Sequence, residues 1–307
     1  MTLAFRGVAP RVPGAVRGAV ESWVNLEGSF WRRLAAWGSR GPEWFVRLAP
    51  PVVGLVACAV APERRRAIAA NLRRVRGRRG PVREAVDVAR TFTTYASCLA
   101  EVLGGESGRR ARGAIVRGDL YLEDALALGH GAILVTAHTA GWEVFGALLA
   151  HHRKVQVMIV EAAERDAVAS DIQDGARGTL GLRVVHVGDD PLSALPLVKH
   201  LRDGGVVALQ VDRVPRSGRA QEVTMFGERA WIPEGPLRLA ALTGAPIVPS
   251  FVARTGHRRY EVVATPPVRL ERGAGPQAFD AAAQELADRL QQFVVAHPTQ
   301  WFHFRSE

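Results

Sequence analysis

A histidine and a glutamate of the kind used in acid–base catalysis stand close together in the segment 138–143, His-Thr-Ala-Gly-Trp-Glu. The segment directly follows the apolar run Ala-Ile-Leu-Val-Thr-Ala at 132–137, which is typical of a buried strand. His138 therefore comes at the carboxyl end of a strand, the edge at which parallel α/β sheets place their functional sites. Histidine is also the side chain most often used as a general base near neutral pH. These observations make His138 the first candidate catalytic residue.

Glu143 lies five residues after His138, and on one straight helix that spacing would place the two side chains about 140° apart. We therefore predict that His138 lies in the turn before a helix and Glu143 in the first helical turn, a geometry that Gly141 permits. Glu143 would then accept the imidazole N–H, fix the tautomer and stabilise the imidazolium. No serine or cysteine accompanies the pair, so we expect it to activate a substrate hydroxyl, as in direct acyl transfer from a thioester. On the spacing alone, a capping histidine with a surface glutamate stays open as the alternative.

Short apolar runs alternate with helical stretches from about residue 114 onward. Strands are predicted at 131–138, 154–160, 182–188, 205–212, 245–254 and 260–268, and helices at 142–152, from 161 to 180, at 191–204 and at 279–298. This alternation of nearly continuous apolar strands with helices predicts an α/β fold, in which a mostly parallel central sheet is flanked by helices on both faces. The last two strands are expected to form a hairpin around residues 255–256.

Basic residues are concentrated in the first part of the chain. The formal net charge is +10, but residues 1–117 hold 21 arginines and 8 acidic residues, a balance of +13, whereas residues 118–307 carry −3. A block of nine arginines lies between Arg64 and Arg83 and favours a polyanionic surface, either anionic lipid or nucleic acid. We divide the chain into a basic helical head, 1–113, and an α/β body, 114–307, joined near 104–113.

Aromatic side chains in the head favour a membrane as that surface. Tryptophan is enriched at bilayer interfaces, although packing in a core stays open for each ring. No zinc-ligand spacing or nucleic-acid-binding motif accompanies the charge, so nucleic acid is the less favoured partner. The apolar stretch 48–61 is fourteen residues long and opens with two prolines, shorter than the roughly twenty residues of a span, so we expect a buried or membrane-dipping helix. The head aromatics are Trp23, Phe30, Trp31, Trp37, Trp44 and Phe45.

Several motifs in a fixed order resemble those of the lysophospholipid acyltransferase superfamily, most closely the branch with bacterial lipid A and phosphatidylinositol mannoside acyltransferases. The segment 138–143 is similar to its His-x4-Asp/Glu motif. The stretch 63–72, which ends in Asn-Leu, resembles its arginine-rich segment, and 201–213 resembles its strand ending in an aspartate. The stretch 224–254 carries Phe-Gly, Pro-x-Gly and Gly-Ala-Pro-x-x-Pro elements, and 297–304 resembles the terminal Pro-x-Gln-Trp.

The resemblance implies a membrane-associated O-acyltransferase on the cytoplasmic face of the bacterial inner membrane. It would move a fatty acyl chain from acyl carrier protein or coenzyme A to a hydroxyl of a lipid A-like or other membrane lipid or glycolipid, with no metal or cofactor. His138 would be the base and Glu143 its orienting acid. Asp212 and Arg213 would position a phosphate or form a structural ion pair. Arg229 and Arg238 are further phosphate-binding candidates, and Trp142, Phe145 and Trp231 would contact the acyl chain or pack in the core.

Two departures leave the acceptor open. The segment 161–170 lacks the pattern of the lipid A enzymes, and the tail lacks a Trp-x-His-Arg-Arg run. Two further hypotheses come from other classes of protein. One is a lipid-binding or scaffold protein that keeps the fold without activity, and the other is a nucleic-acid-binding protein that uses the arginine block.

Overall fold

The computed structural model describes residues 41–103, 113–142, 155–162, 182–187, 191–215 and 218–304, with isolated positions at 33, 37, 38, 175 and 178. The chain begins with three helices, α1 (Glu43–Val60), α2 (Pro62–Arg76) and α3 (Pro81–Leu103). The strands that follow are β1 (Gly113–Arg117), β2 (Ala132–Thr136), β3 (Val157–Ala162), β4 (Arg183–Val187), β5 (Val206–Gln210), β6 (Ala220–Met225), β7 (Glu228–Pro233), β8 (Ile247–Gly256) and β9 (Arg259–Ala264). Between and after them lie α4 (Asp119–Ala127), α5 (Leu195–Arg202), α6 (Gly235–Thr243) and α7 (Pro276–Ala296).

Seven of these strands form one mixed sheet in the order β1-β9-β8-β2-β5-β3-β4. Strands β8, β2, β5, β3 and β4 are mutually parallel, whereas β9 pairs antiparallel with β8 and parallel with β1. The mostly parallel α/β sheet predicted from the sequence is therefore confirmed. Strands β6 and β7 form a separate antiparallel hairpin.

The continuous apolar run of β2 is explained by burial on both faces. Ile133 and Val135 pack in a core with α5, α6 and α7 on one face of the sheet. Ala132 and Leu134 pack on the other face with residues of α4. All five residues of β2 are buried, which removes the polar alternation that a half-exposed strand would show.

Several predicted boundaries were wrong. Strand β3 begins at Val157, three residues after the predicted start at 154, and the β8–β9 turn lies at residues 257–258. Strand β1 and the β6–β7 hairpin were not predicted. The predicted helices at 142–152 and in 161–180 lie almost entirely outside the described residues.

Helix α1 differs most from its prediction. It begins at Glu43, five residues before the predicted start, and its two prolines lie inside it instead of at its start. Only 17% of it is buried, so of the two expected alternatives, a buried or a membrane-dipping helix, the buried one does not hold. Among the described residues, α1 is the one helix whose length and composition would allow it to cross a membrane. Its inner face packs closely on α3, since a Cβ at Gly54 would lie 2.7 Å from the Phe92 carbonyl oxygen.

Many of the clustered arginines have partners within the protein. Arg65 donates to the Cys58 carbonyl at the end of α1, and Arg64 donates to the Phe304 carbonyl at 3.0 Å. Arg73 pairs with Glu84 at 2.6 Å. Arg76 and Arg79 both lie 2.9 Å from Asp87. The arginine block therefore joins the head helices to each other and to the body, in addition to adding positive charge to the surface.

Candidate active site

His138 and Asp212 lie side by side at the carboxyl edge of the sheet because their strands are paired neighbours. Strand β2 runs parallel to β5 with Thr136 opposite Gln210, and each of the two site residues follows its strand end by two positions. The Val211 N–H donates to the Thr136 carbonyl at 2.9 Å, which extends the pairing toward the site. The structure thus brings together two residues that the sequence places 74 positions apart.

Asp212 contacts both the ring and the backbone of His138. Its Oδ1 lies 2.8 Å from His138 Nδ1 and accepts the His138 backbone N–H at 3.1 Å. The Asp212 side chain is fully buried, whereas 27% of the His138 side chain is exposed. Because an ionised carboxylate only accepts hydrogen bonds, Nδ1 carries the proton. In the neutral imidazole, Nε2 then keeps the lone pair that can take a proton from a bound hydroxyl.

Asp212 stays ionised in spite of its burial. Burial alone would raise the carboxyl pKa, but the charge and hydrogen bond of His138, together with the charge of Arg213, hold the pKa of Asp212 below its usual range. The indole N–H of Trp301 donates to the second carboxylate oxygen, Oδ2, at 3.0 Å. Three N–H groups therefore surround this anion.

His303 lies near this carboxylate and is itself buried. Burial, with the neighbouring charges of Arg213, His138 and Arg74, lowers the pKa of His303 to about 4, although the charge of Asp212 opposes the shift. The His303 ring is therefore neutral at pH 7.

The C-terminal segment 300–304 fixes the backbone that follows His138. The Phe302 N–H donates to the His138 carbonyl at 2.7 Å, and the Ala140 N–H donates to the Gln300 carbonyl at 3.1 Å. Gly141 then adopts a positive φ of 82°, and a Cβ at this position would lie 2.4 Å from the Tyr260 ring. Only glycine fits this turn without strain.

Comparison with known proteins identifies the family. The sequence profile of a family described as bacterial lipid A biosynthesis acyltransferase matches residues 30–307. The chain belongs to this family. It is also 32% identical over 190 residues to a phosphatidylinositol mannoside acyltransferase from Mycobacterium tuberculosis (strain CDC 1551 / Oshkosh), a match that covers 61% of this chain and 57% of the relative. The protein of the same description from Mycolicibacterium smegmatis is 28% identical over 188 residues, which cover 59% of this chain and 58% of the relative. Each match thus spans less than two thirds of the relative's length.

The family-like segments pack around the site in this structure. The Asn71 side chain, from the Asn-Leu of the arginine-rich segment, donates to the His303 carbonyl at 2.7 Å. Gln300, from the Pro-x-Gln-Trp segment, accepts the Arg254 N–H at 2.7 Å and donates back to the Arg254 carbonyl at 3.1 Å. Phe226 and Gly227 form the two-residue β6–β7 turn, both with positive φ, as in a type I′ hairpin.

The other predicted site residues lie in several surroundings. Arg213 donates to the Phe302 carbonyl at 2.6 Å and so helps to hold the C-terminal segment. Arg229 pairs with Glu222 across the β6–β7 hairpin at 2.9 Å, and both side chains are exposed. Arg238 pairs with Glu234 one helical turn away at 2.5 Å. Neither of these two arginines is brought to His138 by a contact that the structure gives.

Trp142 and Glu143 remain open as site residues. Trp142 is half-buried and packs against the core cluster under the sheet that contains Leu122 and Tyr260. Glu143 and Phe145 lie outside the described residues. Since Oδ1 of Asp212 already holds Nδ1, the contact expected for Glu143 is made by Asp212, and a role for Glu143 stays a prediction.

A mainly apolar cleft opens beside Asp212. It is bordered by the tip of the β6–β7 hairpin, by Arg74 near the end of α2 and by the ring of Trp301. Arg74 pairs with Glu228 at 2.7 Å, which joins α2 to this hairpin. The apolar lining includes Val211, Met225, Phe226, Trp231, Ile232 and Leu290. In the part of the chain that the structure describes, no group of three or more His, Cys, Asp or Glu side chains is placed to hold a metal ion.

Sequence reasoning did not find the roles of Trp301 and Asn71. Both residues lie inside segments that resemble motifs of the family, and this resemblance is the one feature of the sequence that points to them. Their contacts join residues 89 and 232 positions apart, which no local pattern encodes.

Proposed function

We propose that this chain is a membrane-associated O-acyltransferase. It moves a fatty acyl group from an acyl carrier protein or coenzyme A thioester to a hydroxyl of a membrane lipid or glycolipid. The observation that carries the proposal is the pairing of His138 with the buried, ionised Asp212, which leaves His138 Nε2 as the base. Membership of the acyltransferase family supports the same reaction class.

The reaction follows from this geometry. His138 Nε2 takes the proton of the acceptor hydroxyl as its oxygen attacks the thioester carbonyl carbon, and Asp212 stabilises the imidazolium that forms. The tetrahedral intermediate then collapses with cleavage of the carbon–sulfur bond. The thiol leaves with the proton that His138 had taken, so the enzyme returns to its starting state without an acyl-enzyme and without a metal.

Several residues are proposed to contact the substrates. The cleft beside Asp212 offers an apolar wall, including Trp231, for an acyl chain. Arg213, Arg229, Arg238 and Trp142 are kept as substrate-binding candidates, to be tested by the effect of each substitution on KM. A phosphatidylinositol mannoside is one acceptor to test, because the two relatives are described as acyltransferases of that glycolipid.

Replacement of the base tests the proposal directly. His138→Ala should lower the turnover of acyl transfer by about 10³-fold or more, because general-base catalysis and the charge stabilisation of the dyad are both lost. The assay follows a radiolabelled acyl group from acyl-ACP or acyl-CoA into lipid, on a panel of lipid acceptors. Lys199→Gln, on the exposed i,i+4 pair with Asp203, separates general effects of charge removal from loss of the base. Near-normal turnover in His138→Ala, or a trapped acyl-enzyme, would contradict the mechanism.

We propose further that the head holds the enzyme at an anionic membrane, on the cytoplasmic face of the inner membrane. The outer face of α1 carries an apolar stripe of residues about one turn apart, each between 49% and 65% exposed. Exposed arginines at Arg47, Arg78 and Arg83 accompany it. An apolar stripe beside positive charge is what an interfacial helix presents to anionic lipid. The stripe comprises Trp44, Leu48, Val52, Leu55, Val56 and Val60.

Vesicle sedimentation tests this placement. The double variant Val52→Asp/Val56→Asp should bind vesicles of anionic phospholipid more weakly than the wild-type protein does. Leu120→Asp, which changes an exposed apolar residue of α4 outside the stripe, is the matched control. Added salt should weaken binding as well. If binding is indifferent to both salt and the double substitution, the membrane proposal fails.

A further inference from the structure

The C-terminal segment 300–304 contacts both His138 and Asp212. Its backbone is hydrogen-bonded to His138 and Ala140, and the carbonyls of Phe302, His303 and Phe304 accept hydrogen bonds from Arg213, Asn71 and Arg64. The head and both strand ends of the site therefore hold this segment. Such anchoring fixes the position of whatever side chain the segment presents to Asp212.

That side chain is Trp301. Its indole N–H lies 3.0 Å from Asp212 Oδ2, whereas both contacts from His138 are made to Oδ1. Trp301 is 7% exposed, and the Asp212 side chain is fully buried, so water cannot readily replace the indole N–H. With one oxygen held from each side, the carboxylate has a single favourable orientation.

We propose that Trp301 is a positioning residue of the site, whose indole N–H fixes Asp212 so that its Oδ1 meets the His138 ring. The inference rests on the proposed function, in which His138 is the base. Without the indole donor, Asp212 would lose one of three hydrogen bonds to its charged form. The dyad would then bind a proton more tightly and orient the ring less well.

Trp301→Phe removes the N–H and keeps an aromatic ring in the same core. We expect kcat to fall about tenfold to a hundredfold, the range that corresponds to one hydrogen bond to a charged group. The KM for the acyl donor should stay within about twofold. The acid limb of the pH–kcat/KM profile should move to higher pH, a change that looser packing alone would not produce.

Two further measurements make the test decisive. Phe293→Leu opens space in the same core cluster as Trp301 but leaves the bonds to Asp212 intact, so it should lower thermal stability without moving the pH profile. The charged and titratable groups that face Asp212 are His138, Arg213 and His303, with Arg74 beyond His303. None of these groups is altered in either variant. The NMR signal of the His138 Nδ1 proton, assigned by its loss in His138→Gln, should shift in Trp301→Phe and keep its position in Phe293→Leu.

The outcomes separate this inference from the proposed function. If the wild-type protein transfers acyl groups and Trp301→Phe keeps its kcat and pH profile, the positioning role is refuted. A loss of activity no larger than that of Phe293→Leu, with an unshifted profile, refutes it equally. If the wild-type protein transfers no acyl group, the proposed function fails, and the NMR signal of the His138 Nδ1 proton still decides whether Trp301 acts on the dyad.

Discussion

Replacement of Asp212 by asparagine probes the site with the least change in shape. The carboxylate accepts from His138 at Oδ1 and from Trp301 at Oδ2, so both of its sides face donors. An asparagine has one acceptor oxygen and one donor NH₂, and it can satisfy only one side. If its oxygen faces His138, the NH₂ faces the indole N–H. If its oxygen faces Trp301, the NH₂ donates to Nδ1 and moves the ring proton to Nε2, where it blocks the base.

The magnitude follows from the distance and the burial. For unit charges separated by the 2.8 Å between Nδ1 and Oδ1, an effective dielectric constant near 20 gives about 6 kcal/mol of attraction between imidazolium and carboxylate. The partial exposure of His138 reduces this, so we take about 4–6 kcal/mol as the stabilisation lost from the transition state. That range corresponds to a fall in kcat of about 10³-fold to a few times 10⁴-fold.

The assay measures kcat and KM for acyl transfer in the Asp212→Asn variant, with its thermal unfolding as the control for fold. Glu143→Gln is measured alongside, since the sequence alone pointed to Glu143 as the orienting acid. We expect a much larger loss of kcat in Asp212→Asn than in Glu143→Gln. The assignment of Asp212 is refuted if the Asp212→Asn variant is folded and retains more than about a tenth of wild-type kcat. Loss of the attraction between the His138 imidazolium and the carboxylate would lower kcat much further.

Three further predictions concern the support of the site. Gly141→Ala should destabilise the fold by about 3 kcal/mol or more, through a positive φ and a clash with the Tyr260 ring, as measured by urea unfolding. Asn71→Ala should cost about 1–3 kcal/mol because a buried carbonyl loses its donor, whereas the exposed Arg66→Ala should change stability by no more than about 0.5 kcal/mol. Equal effects of the two would contradict the contact. Because the pKa of His303 is lowered from 6.5 to about 4, the unfolded chain binds a proton in that window that the folded chain does not. Wild-type stability should therefore fall by about 2 kcal/mol between pH 8 and pH 5 through this residue, and His303→Asn should lack that part of the loss.

The sheet was predictable because its central strands have a distinctive sequence pattern. β2 and β5 are short apolar runs buried on both faces, and no other local structure explains such runs as well. β1 was missed because it is an edge strand. Four of its five residues are exposed, so burial does not impose an apolar pattern on its sequence. β6 and β7 were missed for a similar reason, since four of their five exposed residues are polar.

The candidate site was predicted only in part, for a topological reason. The sequence indicates that His138 and Asp212 each follow a strand, but it does not reveal that these two strands are neighbours. Without the strand order, the spacing of the segment 138–143 and its resemblance to the His-x4-Asp/Glu motif point to Glu143 as the partner of His138. Pairing of β2 with β5 in register places Asp212 beside His138 Nδ1, and the role expected for Glu143 stays a prediction.

The contacts of the head arginines also determine which of them should be neutralised to test binding to anionic lipid. Summed over the sequence, the arginine block suggests that neutralising residues 64–66 would test binding to anionic lipid. In the structure, Arg64 donates to the Phe304 carbonyl and Arg65 to the end of α1, so their loss would loosen the packing of the head and of the segment that carries Trp301. A weaker membrane affinity in such a variant would then have two causes. Neutralising the exposed Arg78 and Arg83 removes the same kind of charge without a backbone contact of this type, and it therefore isolates the electrostatic contribution to membrane binding.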